Sequence, residues 1–213
     1  MNIGIIVALD QEFEQLRQLI GNREEGKFGN NEIFLRKSGM GKVNSAIKAY
    51  EMIESYPLDC VINTGVAGGL THALKSLDTI AASQVVYHDA WYGEGNEYGQ
   101  VYGLPARFTC DPKLVEVAKS IPGVKTGLVA SGDYFIHTKE QGDAILSHFP
   151  EALAVDMESG SIAQVCCIKN IPFLSIRIIS DVAGDDHQSE YDNFWDTVVN
   201  SSFNTIKTFL EKI

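Results

Sequence analysis

The chain predicts an α/β fold in which helices sandwich one mostly parallel or mixed central sheet. Three observations predict it. Short apolar β-runs alternate with amphipathic helical segments from one end to the other. No internal repeat or low-complexity tract interrupts that alternation. The 213 residues, 45% of them hydrophobic, suffice for one sizeable core, so a single domain over 1–213 is expected.

The elements follow in order. Residues 3–7 read as a first strand, and Phe13, Leu16 and Ile20 recur at helical spacing over 11–20. A short strand is expected at 32–37. Val43, Ala46, Ile47, Tyr50 and Ile53 then mark the apolar face of a helix, followed by a brief buried strand at 60–62 that ends in a glycine-rich turn. A long strand covers 78–86. Residues 87–108 show no period and carry Trp91, Tyr92, Tyr98 and Tyr102, the composition of a binding or interface loop or of a plain surface loop. Asp111 with Pro112 opens a helix as cap and first helical residue. A strand at 124–129, a helix at 139–148, a strand at 152–155, a helix at 158–169 and a strand at 172–179 continue the pattern. The last helix presents Trp195, Val199, Phe203, Ile206 and Leu210.

A formal net charge of −11 repels nucleic acid and anionic membrane surfaces, so neither is an expected partner. The first ten residues lack a basic signal-peptide region, and their apolar run is too short to span a bilayer, which points to the cytoplasm. Cys60, Cys110, Cys166 and Cys167 have no ligand spacing; reduced and mostly buried thiols are expected, with no metal and no cofactor.

Four segments carry candidate chemistry, each after a strand, where open α/β sheets bind ligands. Glu12 falls in the first turn of the first helix, where it serves either a reaction or the helix macrodipole; Asp10, beside the cap, is the more structural acid. The glycines of 63–70 match neither a phosphate-binding loop nor a dinucleotide fingerprint. They permit backbone to lie close to a ligand, or simply a turn at positive φ. The segment 131–136 is the third. In the fourth, Glu158 opens a helix while Ser180 and Asp181 end an apolar strand, so the Asp181 carboxyl is expected to be poorly solvated, with a raised pKa suited to carrying a proton. Arg177 lies inside that strand and needs a carboxylate such as Glu12 or Asp181, unless the strand is an edge facing water.

Ile3-Gly-Ile-Ile6 with Glu12, Lys37-Ser-Gly-Met-Gly-Lys-Val43, Asn63-Thr-Gly-Val-Ala-Gly-Gly69, Tyr87-His-Asp-Ala90, Glu97-Tyr-Gly-Gln100, Ser131-Gly-Asp133, Val155-Asp-Met-Glu158 and Ile179-Ser-Asp-Val-Ala183 occur in this order. Together they resemble the 5'-methylthioadenosine/S-adenosylhomocysteine nucleosidase family of the nucleoside phosphorylase and nucleosidase fold, over nearly the whole chain. The resemblance implies a phosphorylase/hydrolase-like three-layer α/β/α sandwich and hydrolysis of the bond between adenine and a 5'-thio-substituted ribose, with 5'-deoxyadenosine as a further candidate substrate. Asp181 would protonate or hydrogen-bond purine N7, Glu158 would hold the ribose hydroxyls, and Glu12 would deprotonate the attacking water. By the same likeness Phe135 stacks on the base, the Ile136 backbone reads its edge, and Met157 packs on the ribose. Ser180 orients Asp181, and Arg177 supports the water site. Val66, Ala67 and Gly68 lie along the ligand, and Leu9, Met40 and Tyr191 line the alkylthio pocket. A homodimer brings Tyr102 and the 87–108 loop across to close it. The family often has serine at the position of Val66 and methionine at that of Leu9, differences that bear on substrate preference.

Three other readings stand beside this one. A purine nucleoside phosphorylase needs a cationic hold on phosphate, and Val7-Ala8-Leu9 offers none. A related hydrolase of aminodeoxyfutalosine or another adenine nucleoside differs only in the 5' pocket. A non-catalytic nucleoside-binding protein has no use for an acid and a base on opposite faces of a sugar.

Overall fold

The computed structural model describes residues 1–182 and 191–213, with the side chains of Val182 and 191–196 outside the description. The chain runs β1 (Asn2–Val7), α1 (Asp10–Leu16) and a 3-10 turn (Arg17–Ile20). A hairpin of β2 (Glu25–Phe28) and β3 (Asn31–Lys37) leads to α2 (Lys42–Ser55), β4 (Cys60–Gly69) and β5 (Thr79–Tyr87). After the long loop come β6 (Phe108–Thr109), α3 (Pro112–Lys119), β7 (Val124–Ser131) and α4 (Lys139–His148). The remainder is β8 (Ala152–Asp156), α5 (Ser159–Lys169), β9 (Phe173–Val182) and α6 (Tyr191–Leu210). The expected cap at Asp111 forms, with its Oδ1 accepting from the N–H groups of Lys113 and Leu114 at 2.9 and 3.0 Å.

The strands form one mixed sheet in the order β2-β3-β1-β4-β8-β7-β5-β6, as the α/β expectation requires. β9 pairs in parallel with β4 and antiparallel with β5, so β4, β8, β7, β5 and β9 close on one another as a ring. Ile3, Ile5, Ile62, Leu174, Ile176 and Ile179 fill the principal core from β1, β4 and β9. Burial at about 25 cal/mol per Å² of apolar surface is what holds such a sheet together. β9 is therefore an interior strand, and the reading of Arg177 as a water-facing edge residue is excluded. Its register against β4 slips once: Ala67 faces Ile179 and Gly68 faces Asp181, leaving Ser180 as the extra residue of a bulge.

Three expectations need correction. The glycine-rich 63–69 segment is strand rather than turn, because β4 continues between β9 and β8 and its backbone is paired through Gly69. Strand β2 was absent from the expectation; its Glu-Gly-Lys-Phe sequence has no apolar alternation, and pairing with β3 alone makes it a strand. In α2 three of the five residues expected on the core face point away from it, although Ile53 does pack on the core. Val43, Ile47 and Tyr50 are exposed, while Ser45, Ala49 and Met52 are buried. Small residues let α2 approach α5 closely, as the 2.6 Å contact between the hydroxyls of Ser45 and Ser161 shows. The backbone of Trp195 lies in α6, but its expected core role falls outside the described side chains.

Candidate active site

Strand β1 ends beside the middle of β4, and α1 starts there. Glu12, third residue of α1, turns its carboxylate back: Oε2 accepts from Ala8 and Leu9 N–H at 3.2 and 3.0 Å, and Oε1 accepts from Val66 N–H at 3.1 Å. The acid thus caps its own helix and also reaches the neighbouring strand. Burial pushes the Glu12 pKa above the usual carboxylate range, outweighing the opposing backbone hydrogen bonds and the Arg177 charge. Gly65 makes this approach possible. At φ +147, a Cβ there would stand 2.6 Å from Glu12 Oε1 and 3.0 Å from Arg177 Nη1.

Where β8 hands over to α5, Asp156 does the capping that the sequence left open for Glu158. Its Oδ1 accepts from the N–H groups of Glu158 and Ser159 at 3.3 and 3.1 Å. Glu158 makes no capping bond and is free for other work. Its Oε1 accepts from Gly41 N–H at 3.0 Å, and its Oε2 lies 3.7 Å from Arg177 Nη2. Burial above all, with Asp156 and Glu12 adding negative charge, pushes the Glu158 pKa up to about 7 against the pull of Arg177.

Arg177 is fully enclosed in β9. Its direct partner is Asp156, Nε to Oδ2 at 2.7 Å, rather than the expected Glu12 or Asp181. Asp156 ends the strand whose following turn brings Glu158 round, so both acids meet one guanidinium. Arg177 also donates to Asn63 Oδ1 and, at 3.1 Å, to Ser159 Oγ. Glu12 acts on it only through charge.

Farther along β9, Ser180 donates its hydroxyl to Asp181 Oδ1, as expected, and sits 3.4 Å from the Ala67 carbonyl. Asp181 is half-buried, not enclosed as its apolar strand predicted, because it lies past the bulge at the sheet's end. Met157 and Leu9 are half-buried beside the acids that adjoin them in sequence. Met40 precedes Gly41 and is exposed. Phe135 is 68% exposed, and Ile136 packs on the smaller core cluster around Leu70 and Ile145.

The structure thus gathers Glu12, Val66, Ala67, Gly68, Glu158, Arg177, Ser180 and Asp181 along one β4–β9 junction. It does not bring in Tyr102, which is 76% exposed on the loop between β5 and β6. The side chain of Tyr191 and the residue Ala183 lie outside the description. Asp156, Asn63, Ser159 and Gly41 received no individual role from the sequence reading, whereas Gly65 lay within the glycine segment read as close-approach backbone. For Asp156 a signal existed, an acid ending a strand just ahead of a helix. Among the described residues no group of three or more His, Cys, Asp or Glu suits a metal ion. Two buried carboxyls with raised pKa values stand around one fixed guanidinium, groups able to take up and release protons, while a third acid stands at the strand end.

Residues 2–211 match the model of the phosphorylase superfamily. A relative from Anoxybacillus flavithermus, named 5'-methylthioadenosine/S-adenosylhomocysteine nucleosidase, is 38% identical over 91% of each chain. The crystal structure of the Neisseria meningitidis enzyme of that name, in complex with methylthio-immucillin-A, superposes with a TM-score of 0.93 at 36% identity, covering 100% of this chain and 99% of that one. A futalosine hydrolase mutant from Helicobacter pylori superposes with a TM-score of 0.91 at 28% identity, covering both chains fully.

Proposed function

The chain belongs to the phosphorylase superfamily and, within it, to the 5'-methylthioadenosine/S-adenosylhomocysteine nucleosidases, and from that membership we infer that it hydrolyses the N-glycosidic bond of these two nucleosides. The products are adenine and the 5'-substituted ribose. The observation that carries the assignment to this site is the pair of buried carboxyls, Glu12 and Glu158, converging on Arg177 and β4.

The chemistry follows from what each group offers. Adenine leaves poorly as an anion, so Asp181, oriented by Ser180, supplies a proton or hydrogen bond at N7 as the glycosidic bond lengthens. Positive charge then builds on the sugar, and Glu158, fixed by Gly41 N–H, holds the ribose hydroxyls and stabilises that charge. Glu12 takes a proton from water. Burial raises its pKa, which makes the ionised carboxylate a stronger base than an exposed one. Arg177 keeps the cluster from carrying uncompensated negative charge. Val66 contributes its backbone N–H to Glu12, a bond that does not depend on its side chain. Phe135, Ile136, Met157, Leu9, Met40 and Tyr191 complete the base, ribose and alkylthio surfaces in this reading.

Water rather than phosphate is the acceptor. The enclosed cation beside Glu12 is Arg177; Asp156, Asn63 and Ser159 hold its Nε and Nη2, and its Nη1 stands 3.5 Å from the Val66 carbonyl. The test is adenine release from methylthioadenosine, adenosylhomocysteine, 5'-deoxyadenosine and inosine, with and without phosphate. Release without phosphate is expected. Strict phosphate dependence with a ribose 1-phosphate product overturns the hydrolase assignment, and binding without release over hours makes the protein a nucleoside binder. The Helicobacter pylori neighbour keeps a second reading in view, in which aminodeoxyfutalosine is the better substrate. Its kcat/KM beside that of methylthioadenosine decides.

The catalytic unit spans 1–213 and works as a homodimer in this reading. Val43, Ile47 and Tyr50 form an exposed apolar stripe on α2, and Trp91, Tyr92 and Tyr102 are exposed on the 87–108 loop. An ion pair at 2.7 Å between Lys42 and Asp89 joins the two surfaces, so both belong to the face a second copy covers. All four cysteines are unbridged, the state maintained in the cytoplasm, where we place the protein.

A further inference from the structure

We propose that Lys42, Asp89 and Asp133 form a polar clasp that positions both halves of the bound nucleoside together, a role that rests on the nucleosidase reading above. The clasp joins three segments far apart in sequence. Lys42 N–H donates to Asp133 Oδ1 at 2.7 Å, Lys42 Nζ donates to Asp89 Oδ2 at 2.7 Å, and Asp133 N–H donates to the same Asp89 oxygen at 2.8 Å. One carboxylate oxygen therefore ties the start of α2 to the loop after β7.

Its two ends lead to the two halves of the site. The peptide N–H next to that of Lys42 belongs to Gly41 and holds Glu158 Oε1 at 3.0 Å. Consecutive N–H groups at the start of α2 thus hold the ribose-side acid and the anchor of the base-side loop. On the other end, Asp133 stands two residues before Phe135, and Gly132 N–H donates to the Asp156 carbonyl at 3.1 Å. The acid that ends β8 and fixes Arg177 is therefore tied by its backbone to the same loop.

Glycines stand at both points of closest approach. A Cβ on Gly132 would lie 2.7 Å from Asp89 Cγ and from His88 Nε2, and one on Gly41, at φ +89, would lie 2.9 Å from Asp133 Oδ1. Without those glycines neither junction could close. Lys42 also places its ammonium 5.3 Å from the centre of the Tyr87 ring, which limits where its tip can move. Lys42 and Asp89 lie on the face that the second copy covers in the dimer reading, and what the pair adds within one chain is geometry, fixing the start of α2 against the loop after β7. Phe135 is exposed, with its ring stacked 6.1 Å from that of His137, so its place over a base depends on the course of this loop.

The experiment measures adenine release from methylthioadenosine and inhibition by free adenine, which occupies the base side alone. The variants are Asp133→Ala, Asp89→Ala, Lys42→Met and the conservative Asp133→Asn, which retains an acceptor. Loss of charge-assisted hydrogen bonds should raise KM and the adenine inhibition constant in parallel by about tenfold in the first three, with kcat reduced less. Asp133→Asn should recover most of the loss. Parallel values for wild type and the folded Asp89→Ala and Lys42→Met proteins overturn the proposal, as does an Asp133→Asn enzyme as impaired as Asp133→Ala. Should Asp133→Ala fail to fold, Lys42→Met carries the same expectation, since it leaves the backbone bonds in place. A wild-type protein that releases no adenine defeats the nucleosidase reading instead, so the two failures are told apart.

Discussion

Arg177 Nε stands 2.7 Å from Asp156 Oδ2, and both side chains are almost wholly removed from water. Neither group reaches solvent to compensate if the other is lost. Replacing Asp156 by alanine should therefore cost about 3–5 kcal/mol, the usual penalty for stranding a buried charge. Urea unfolding measures it, and a midpoint matching wild type at equal slope would show that the pair is dispensable.

Activity should follow the charge on Glu12. As a base it must be ionised, and burial raises its pKa above 4.5, so kcat/KM should climb through an acidic limb placed higher than an ordinary glutamate gives. Arg177 pulls that pKa down. In Arg177→Gln the limb should move to higher pH, and a limb that stays put removes Glu12 from the role of base.

Glu158 links pH to stability with a definite sign. Its folded pKa, about 7, lies above the 4.5 of an unperturbed glutamate, so between these values the folded state binds more protons than the unfolded one. Stability from this group is complete below pH 4.5 and is lost as pH rises toward 7. Glu158→Gln should flatten the decline. Unfolding free energies of both proteins across that window provide the check; identical slopes would contradict the shift.

Asp181→Asn keeps a side chain of the same shape at the end of β9 but cannot donate the same proton. Turnover should fall by about 10²–10⁴-fold with little change in melting temperature, since the residue is half-buried and bonded to Ser180. Near-normal adenine release from the folded variant would move the acid elsewhere.

In the dimer proposed above, the α2 stripe is a surface that the second copy covers. Val43→Glu combined with Ile47→Glu should turn a homodimer into monomers, read by light scattering after size exclusion, while the secondary structure persists because both positions are exposed in one chain. A wild type that is monomeric at micromolar concentration excludes the dimer.

Much of the alternation of strands and helices was legible from apolar periodicity, including the Asp111 cap and the strand that carries Arg177 and Asp181. Periodicity failed where sheet pairing overrode local propensity, as in the glycines of β4 and the polar β2. In α2 it found an amphipathic helix but chose the wrong face, because close helix packing selected Ser45 and Ala49 over larger side chains. At the site, the acids were legible as residues at strand ends. The Arg177–Asp156 pairing was not, because it depends on how two strands meet in space.

The extra residue at Ser180 gives this chain an unusual vulnerability in its gene. The bulge adds a residue without changing the partner of Asp181, so dropping the single codon for Ser180 would leave Asp181 opposite Gly68 but remove the hydroxyl that donates to its carboxylate. A lineage can lengthen or shorten its surface loops at small expense, yet here one lost triplet would leave a paired strand whose terminal acid has lost its hydroxyl partner.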